Sequence, residues 1–230
     1  MDMLLDNLIR LRDEFLIENP IKFVDDNPRR DTDPNVFRRS YQNFLRLVER
    51  HEFGKTSNTG ENLEAMIKYE LSKEEASLVY MYTAHHVPDE VNSHLRSNPK
   101  NLQPDIAEYC RLLTNVLTKL PSFNSGVVYR DISHPSCSLD DIFEQYENAT
   151  DGIFCDPSFL SSHIREGRWS DERLGIQLVI HTGIKSNGKN LTELSFNSSE
   201  SEVLFMRDTK FKVESIDYKS NVLELSEMTD

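Results

Sequence analysis

Cysteine is scarce: Cys110, Cys137 and Cys155 are all the chain has, and no two of them form a CxxC. That usage speaks against a disulfide framework and against a zinc ribbon. No apolar run approaches the ~18–20 residues that a membrane-crossing helix needs, so no membrane span is expected. GxGxxG, GxxxxGK[ST] and GxSxG are all missing. A Rossmann site, a Walker site and a nucleophile elbow are therefore unsupported. His85-His86 lacks companion ligands at metal spacing, and no metal site is expected. Positive charge is short as well. The 26 Lys and Arg face 39 Asp and Glu, a net charge of −13 over 230 residues. Residues 1–60 are nearly balanced, with 10 basic and 11 acidic side chains, whereas residues 61–230 carry 16 and 28. An acidic body suits neither a phosphate backbone nor an anionic bilayer, so no nucleic-acid partner is expected. The opening MDMLLDNLIRLRDEF mixes charges among its apolar residues and does not read as the h-region of a signal peptide.

The first half of what is present reads as helix. Leu4, Leu5, Leu8, Ile9, Leu11, Phe15 and Leu16 form one apolar stripe, and Phe37, Tyr41, Phe44, Leu45 and Val48 form a second. Ile106, Tyr109, Leu113, Val116, Leu117 and Leu120 form a third, opened by Pro104. Ser72-Lys73-Glu74-Glu75 is a capping box after Leu71 and predicts a helix start. Residues 20–35, with three prolines, and residues 53–61 read as linkers. The second half reads as strands: Gly126–Arg130, Leu174–His181, Glu202–Met206, Phe211–Ile216 and Val222–Leu225, with a turn at Lys185–Lys189. Helices first and strands second predict an α+β fold. The predicted division is an N-terminal helical extension over 1–60 and a body over 61–230.

Several side chains in the body could carry chemistry. Glu200-Ser201-Glu202 leads into Val203-Leu204-Phe205. Residues two apart on extended chain project to one side, about 6–7 Å apart at Cα. Two such carboxylates can divide the work of a reaction through a sugar oxocarbenium ion, one steadying the cation while the other takes a proton. Arg130 closes an apolar strand, and its planar fork matches phosphate oxygens. Ser161, near the end of Asp156–His163, can hydrogen-bond a carboxylate and hold its rotamer. Arg165–Arg173 contains Trp169, the one tryptophan, among three arginines. An indole there can stack on a flat ring while an Arg holds a pyrophosphate. Taken singly, each is also what a solvated acid pair, a strand-end arginine, a turn serine or a packed loop tryptophan looks like.

The ordered set is more specific. Arg130 on a strand, then Phe159-Leu160-Ser161-Ser162-His163, then Glu200-Ser201-Glu202-Val203-Leu204-Phe205, then Phe211-Lys212-Val213 resembles the mono-ADP-ribosyltransferases of the Arg–Ser–Glu class. Tyr82-Thr83 followed by Asn92-Ser93-His94-Leu95-Arg96 is similar to that family's helix bearing Tyr-Thr and Asn-x-x-Leu-Arg. Gly188-Lys189, Leu194-Ser195 and the Glu-x-Glu are similar to its final hairpin. The resemblance spans residues 62–226. Three departures stand out. His163 replaces a third hydroxyl, Asp131 follows Arg130 where the family commonly has Gly, and Tyr82 to Asn92 is one residue longer than usual. The resemblance implies that Asp131 would weaken NAD binding.

The resemblance implies two small perpendicular sheets clasping NAD, flanked by helices, with NAD as substrate and no metal. It implies that Arg130 holds an NAD phosphate and that Ser161 braces the later Glu. Glu202 would bind the nicotinamide ribose, and Glu200 would orient and deprotonate the acceptor, a Glu there going with arginine. Trp169 and Arg173 would line the nicotinamide and phosphate end, with Arg168 competing for the second role. The expected activity is transfer of ADP-ribose to a host protein by a monomeric bacterial toxin or effector. That protein would be injected into host cytoplasm without a signal peptide. The rival readings are an NAD glycohydrolase and a non-enzymatic acidic binding module.

Overall fold

The computed structural model describes residues 59–83, 87–124, 126–132, 138–166, 175–195 and 201–229. The two N-terminal stripes, the linker over 20–35, His85-His86, Cys137, Arg168, Trp169, Arg173 and Glu200 lie outside the described residues. The chain divides into two compact units, residues 1–120 with 191–199, and residues 121–190 with 200–230.

In the first unit, α1 (Thr59–Lys68), α2 (Lys73–Tyr82), α3 (Val87–Ser97) and α4 (Pro104–Lys119) follow one another. The predicted linker over 53–61 is cut short, because α1 already begins at Thr59. The start of α2 is the capping box read from Ser72. The Ser72 hydroxyl accepts from the Glu75 N–H at 3.2 Å, and the Glu75 carboxylate accepts from the Ser72 N–H at 2.9 Å. Pro104 opens α4, whose buried stripe is Ile106, Tyr109, Cys110, Leu113, Val116 and Leu117. Cross-helix hydrogen bonds engage the polar atoms of Tyr109 and Asn92. Tyr109 donates to the Leu78 carbonyl at 2.9 Å, and Asn92 donates to the Tyr82 hydroxyl at 3.0 Å. The turn after residue 191 is tied to the end of α1, since Glu193 accepts from Lys68 and Tyr69 at 3.1 and 3.0 Å.

Among the described residues the second unit is a mixed sheet with one α-helix. Its strands are β1 (Val127–Ile132), β2 (Ile153–Cys155), β3 (Leu160–His163), β4 (Ile176–His181), β5 (Gly188–Asn190), β6 (Glu202–Phe205), β7 (Lys210–Asp217) and β8 (Val222–Glu227). The hydrogen-bonded order is β2-β7-β8-β4-β1-β3-β6-β5. Among the described residues only β4 and β8 pair in parallel. The order is continuous, but β1 joins β3 through a single residue pair, Tyr129 with His163. Five strands therefore lie on one side of a narrow junction and three on the other.

Alternation explains the core. Ile176, Leu178 and Ile180 of β4 and Leu223 and Leu225 of β8 are fully buried. They meet Val128, Leu160, Val203, Phe205 and Phe211 and the inner face of α5 (Leu139–Glu147), which contributes Ile142, Phe143 and Tyr146. The sequence reading passed over α5. Its capping box is Ser138 with Asp141, an Asp where Glu or Gln is the usual signal, yet both bonds form, at 3.1 and 2.8 Å. It also passed over β2, which follows a turn with Asp151 and Gly152 at φ 56° and 70°. Every residue of β6 is buried, so both of its faces are covered.

Candidate active site

The site begins with a carboxylate in an expensive place. Glu202 opens β6 and is only 7% exposed. A buried carboxylate is costly unless charges and donors surround it, so its retention there marks a site of chemistry or of structural pairing. The β3–β6 register sets His163 against Glu202, Ser162 against Val203 and Ser161 against Leu204. Facing residues of an antiparallel pair share a side. Ser161, His163 and Glu202 therefore line one face, with Ser161 on the diagonal from Glu202. Leu160, Ser162, Val203 and Phe205 line the other.

The three hydroxyl-motif positions consequently differ. Ser162 is buried and donates to the Val203 carbonyl at 2.8 Å, which makes it a structural clip between β3 and β6. Ser161 is half-buried on the Glu202 face. His163 continues a row across three strands, Tyr129 on β1, His163 on β3 and Glu202 on β6. The Tyr129 and His163 rings stack, with centroids 6.1 Å apart and planes at 28°.

Arg130 comes to this region from β1. A ladder continued beyond the Tyr129–His163 pair would set Arg130 beside Ser162 and Asp131 beside Ser161. It stops instead, and Arg130 Nη1 donates to the Ser161 carbonyl at 2.6 Å. One N–H of the fork is spent there, which fixes the guanidinium on β3, and the group stays half-buried. Asp131 alternates to the other face of β1 and accepts from Gln177 Nε2 at 3.4 Å.

The Glu200–Glu202 spacing assumed extended chain, but Ser201 lies in the left-handed region at φ 51° and β6 starts only at Glu202. The Ser201 carbonyl accepts from the Ile164 N–H at 3.2 Å, which holds Ser201 against the end of β3.

On β5, Lys189 faces Leu204 and is buried, and its ammonium donates to the Ser122 hydroxyl at 3.0 Å. Burial pushes the Lys189 amine down, and Glu227 opposes this. Glu227 also accepts from the Asn187 and Gly183 N–H groups at 2.6 and 3.3 Å, pinning the loop that delivers β5. A separate open crevice of about 370 Å³ beside α5, lined by acids and Tyr218, includes none of Arg130, Ser161 or Glu202. Among the described residues no group of three or more His, Cys, Asp or Glu is placed to hold a metal. None of their helices is long and apolar enough to cross a membrane.

Arg130, Ser161 and Glu202 thus stand on three adjacent strands, joined through β3. Residues 56–227 match the family model described as ADP-ribosyltransferase exoenzyme. The chain belongs to the ADP-ribosyltransferase exoenzyme family. Over 153 residues it is 26% identical to the NAD(+)–protein-arginine ADP-ribosyltransferase Tre1 of Serratia proteamaculans (strain 568). That stretch is 66% of this chain and 31% of Tre1, so the chain spans about a third of that relative. The fold resembles the ADP-ribosyltransferase HopU1 of Pseudomonas syringae pv. tomato DC3000, with TM-score 0.58 and 19% identity over 83% of this chain and 97% of that one. It also resembles the C3 exoenzyme of Clostridium limosum, with TM-score 0.58 and 18% identity over 77% and 98%. The mixed eight-stranded sheet with its helices is thereby the ADP-ribosyltransferase exoenzyme fold, in agreement with the α+β expectation.

Proposed function

We propose that this chain cleaves NAD at its nicotinamide–ribose bond and transfers ADP-ribose to an arginine of a protein, releasing nicotinamide. The observation that carries the reading is Glu202, a buried carboxylate on the same face as Ser161, with the Arg130 guanidinium fixed on the Ser161 carbonyl. Family membership and the arginine-specific name of Tre1 support it.

The chemistry follows from charge. Nicotinamide leaves readily, so the protein's task is to steady positive charge at the anomeric carbon and to position an acceptor. Glu202 grips a hydroxyl of the nicotinamide ribose and favours the oxocarbenium-like transition state. Ser161, diagonal to it, steadies its carboxylate. Arg130 offers its remaining N–H groups to the diphosphate. Glu200 takes a proton from the acceptor guanidinium, which is a poor nucleophile while protonated. Trp169 stacks on nicotinamide, and Arg173 assists at the phosphates. The protein acts as a monomeric bacterial toxin or effector delivered into a host cytoplasm by an injection apparatus.

The test uses labelled NAD and a host-cell lysate. The unaltered chain is expected to label protein on arginine. Glu200→Gln is expected to lose labelling while still releasing some nicotinamide, because only acceptor deprotonation is removed. Nicotinamide release by the unaltered chain with no labelled protein would make it a glycohydrolase instead. Failure of the folded chain to consume NAD would end the reading.

A further inference from the structure

The hydrogen-bonded strand order ends on β5, the outer neighbour of the strand that opens with Glu202. The far edge of β5 is itself covered. The Phe123 N–H donates to the Gly188 carbonyl at 2.8 Å, and Ser122 bridges to Lys189. Residues 122 and 123 lead into β1, so the ladder that leaves β1 at the Tyr129–His163 pair returns to it through β3, β6 and β5. Ser161 and Glu202 ride on this closed circuit, which meets β1 at that one pair and at the bond from Arg130 to the Ser161 carbonyl.

Two buried charges brace the other side. Lys189 faces Leu204, which in turn faces Ser161, and its ammonium donates to the Ser122 hydroxyl at 3.0 Å. Glu227 closes β8, is 8% exposed, and has both carboxylate oxygens committed. Its Oε1 accepts from the Asn187 N–H at 2.6 Å and its Oε2 from the Gly183 N–H at 3.3 Å. The Asn187 carbonyl accepts from the Met206 N–H at 3.4 Å, just past β6. One residue therefore joins Glu227 to the end of the strand that bears Glu202. Buried charges of opposite sign add little net stability over apolar side chains of the same size.

We infer that Glu227 and Lys189 are positioning residues for the reaction: they brace β5 and the end of β6 against β8 and the segment before β1, and so hold Ser161 and Glu202 at one distance from Arg130. The inference rests on the reading of Glu202 and Arg130 given above. NAD gripped at its diphosphate by Arg130 meets Glu202 at its ribose only while that distance holds. A loosened brace therefore costs the transition state more than the bound ground state.

The experiment measures kcat and KM for NAD, by nicotinamide release, well below the melting temperature of each protein. Glu227→Gln keeps the length and one acceptor and drops the charge, and Lys189→Met keeps the stem and drops the ammonium. Ile142→Val, a buried change on α5, shows what lost stability does by itself. Each brace variant is expected to lower kcat about tenfold with KM for NAD changed less than about twofold, while Ile142→Val keeps its kcat. An unaltered kcat in either folded brace variant would overturn the inference, whether or not KM rises. So would a loss of kcat in Ile142→Val as large as theirs. If Glu227→Gln fails to fold, Lys189→Met decides by the same split. An unaltered chain that releases no nicotinamide would overturn the underlying reading and this inference with it. An active chain whose brace variants match it would overturn this inference alone.

Discussion

Replacing Arg130 by Lys keeps the positive charge and removes the fork, and the structure says what that should cost. In the folded protein one guanidinium N–H is engaged by the Ser161 carbonyl at 2.6 Å, leaving the others for an anion. A hydrogen bond to a charged group contributes about 1.5–3 kcal/mol. Arg130 is half-buried, so the lower end applies to the bond with Ser161, about 1 kcal/mol after solvent screening. That corresponds to a fall of about 2–4 °C in melting temperature for a chain of this size. If the remaining N–H groups grip the diphosphate as a fork, the lost pairing raises KM for NAD by about 10- to 30-fold, equivalent to about 1.5–2 kcal/mol. The value of kcat should move by less than about threefold, because the diphosphate is held equally in ground and transition states. Steady-state transfer with NAD as the varied substrate, beside a thermal melt, measures both. An unchanged KM with a lowered kcat would refute phosphate binding by Arg130. A full melting shift with no kinetic change would reduce the residue to a strand clip.

Ser201 occupies the left-handed region at φ 51°, which costs an L-residue about 1–2 kcal/mol. Ser201→Gly should therefore preserve transfer and raise the melting temperature by a few degrees, whereas Ser201→Val should lower both; calorimetry and labelling check this. In the helical unit, burial pushes the Glu75 carboxyl up, but the Lys119 ammonium at 2.7 Å and the Ser72 N–H outweigh it and hold it below the usual range. A carboxyl lowered by folding contributes stability above its unfolded value of about 4.3 and loses it as pH falls through the folded value. Denaturant unfolding at about pH 5 and pH 3 should therefore show a smaller loss of stability for Glu75→Gln than for the unaltered chain, and an equal loss would contradict the pairing.

What the sequence could and could not disclose follows the reach of each signal. The Ser72 box and the Pro104 start are local, and both were legible because their partners lie within a turn. The run at Ile176–His181 read as a central strand because a strand with covered neighbours is apolar at its centre, and β4 does lie between β8 and β1. α5 went unread because Asp141 is a weaker capping signal than Glu. The site was legible only as an order of residue types. Nothing local says that Arg130 ends on the Ser161 carbonyl, because that depends on the ladder stopping after one pair. His163 read only as a missing hydroxyl, and its place opposite Glu202 exists solely in the cross-strand register. The extended geometry assumed for the acid pair failed at Ser201, since a serine in the left-handed region carries no sequence mark of the kind a glycine would.

The proposed chemistry depends on Glu202, and nicotinamide release from NAD measures this most directly. With the unaltered chain and Glu202→Gln both shown to be folded and to bind NAD, release by the variant should fall at least about 100-fold, the usual loss when a charge-stabilising group is removed from a transition state. Release at the unaltered rate would mean that the buried carboxylate serves the fold and not the reaction.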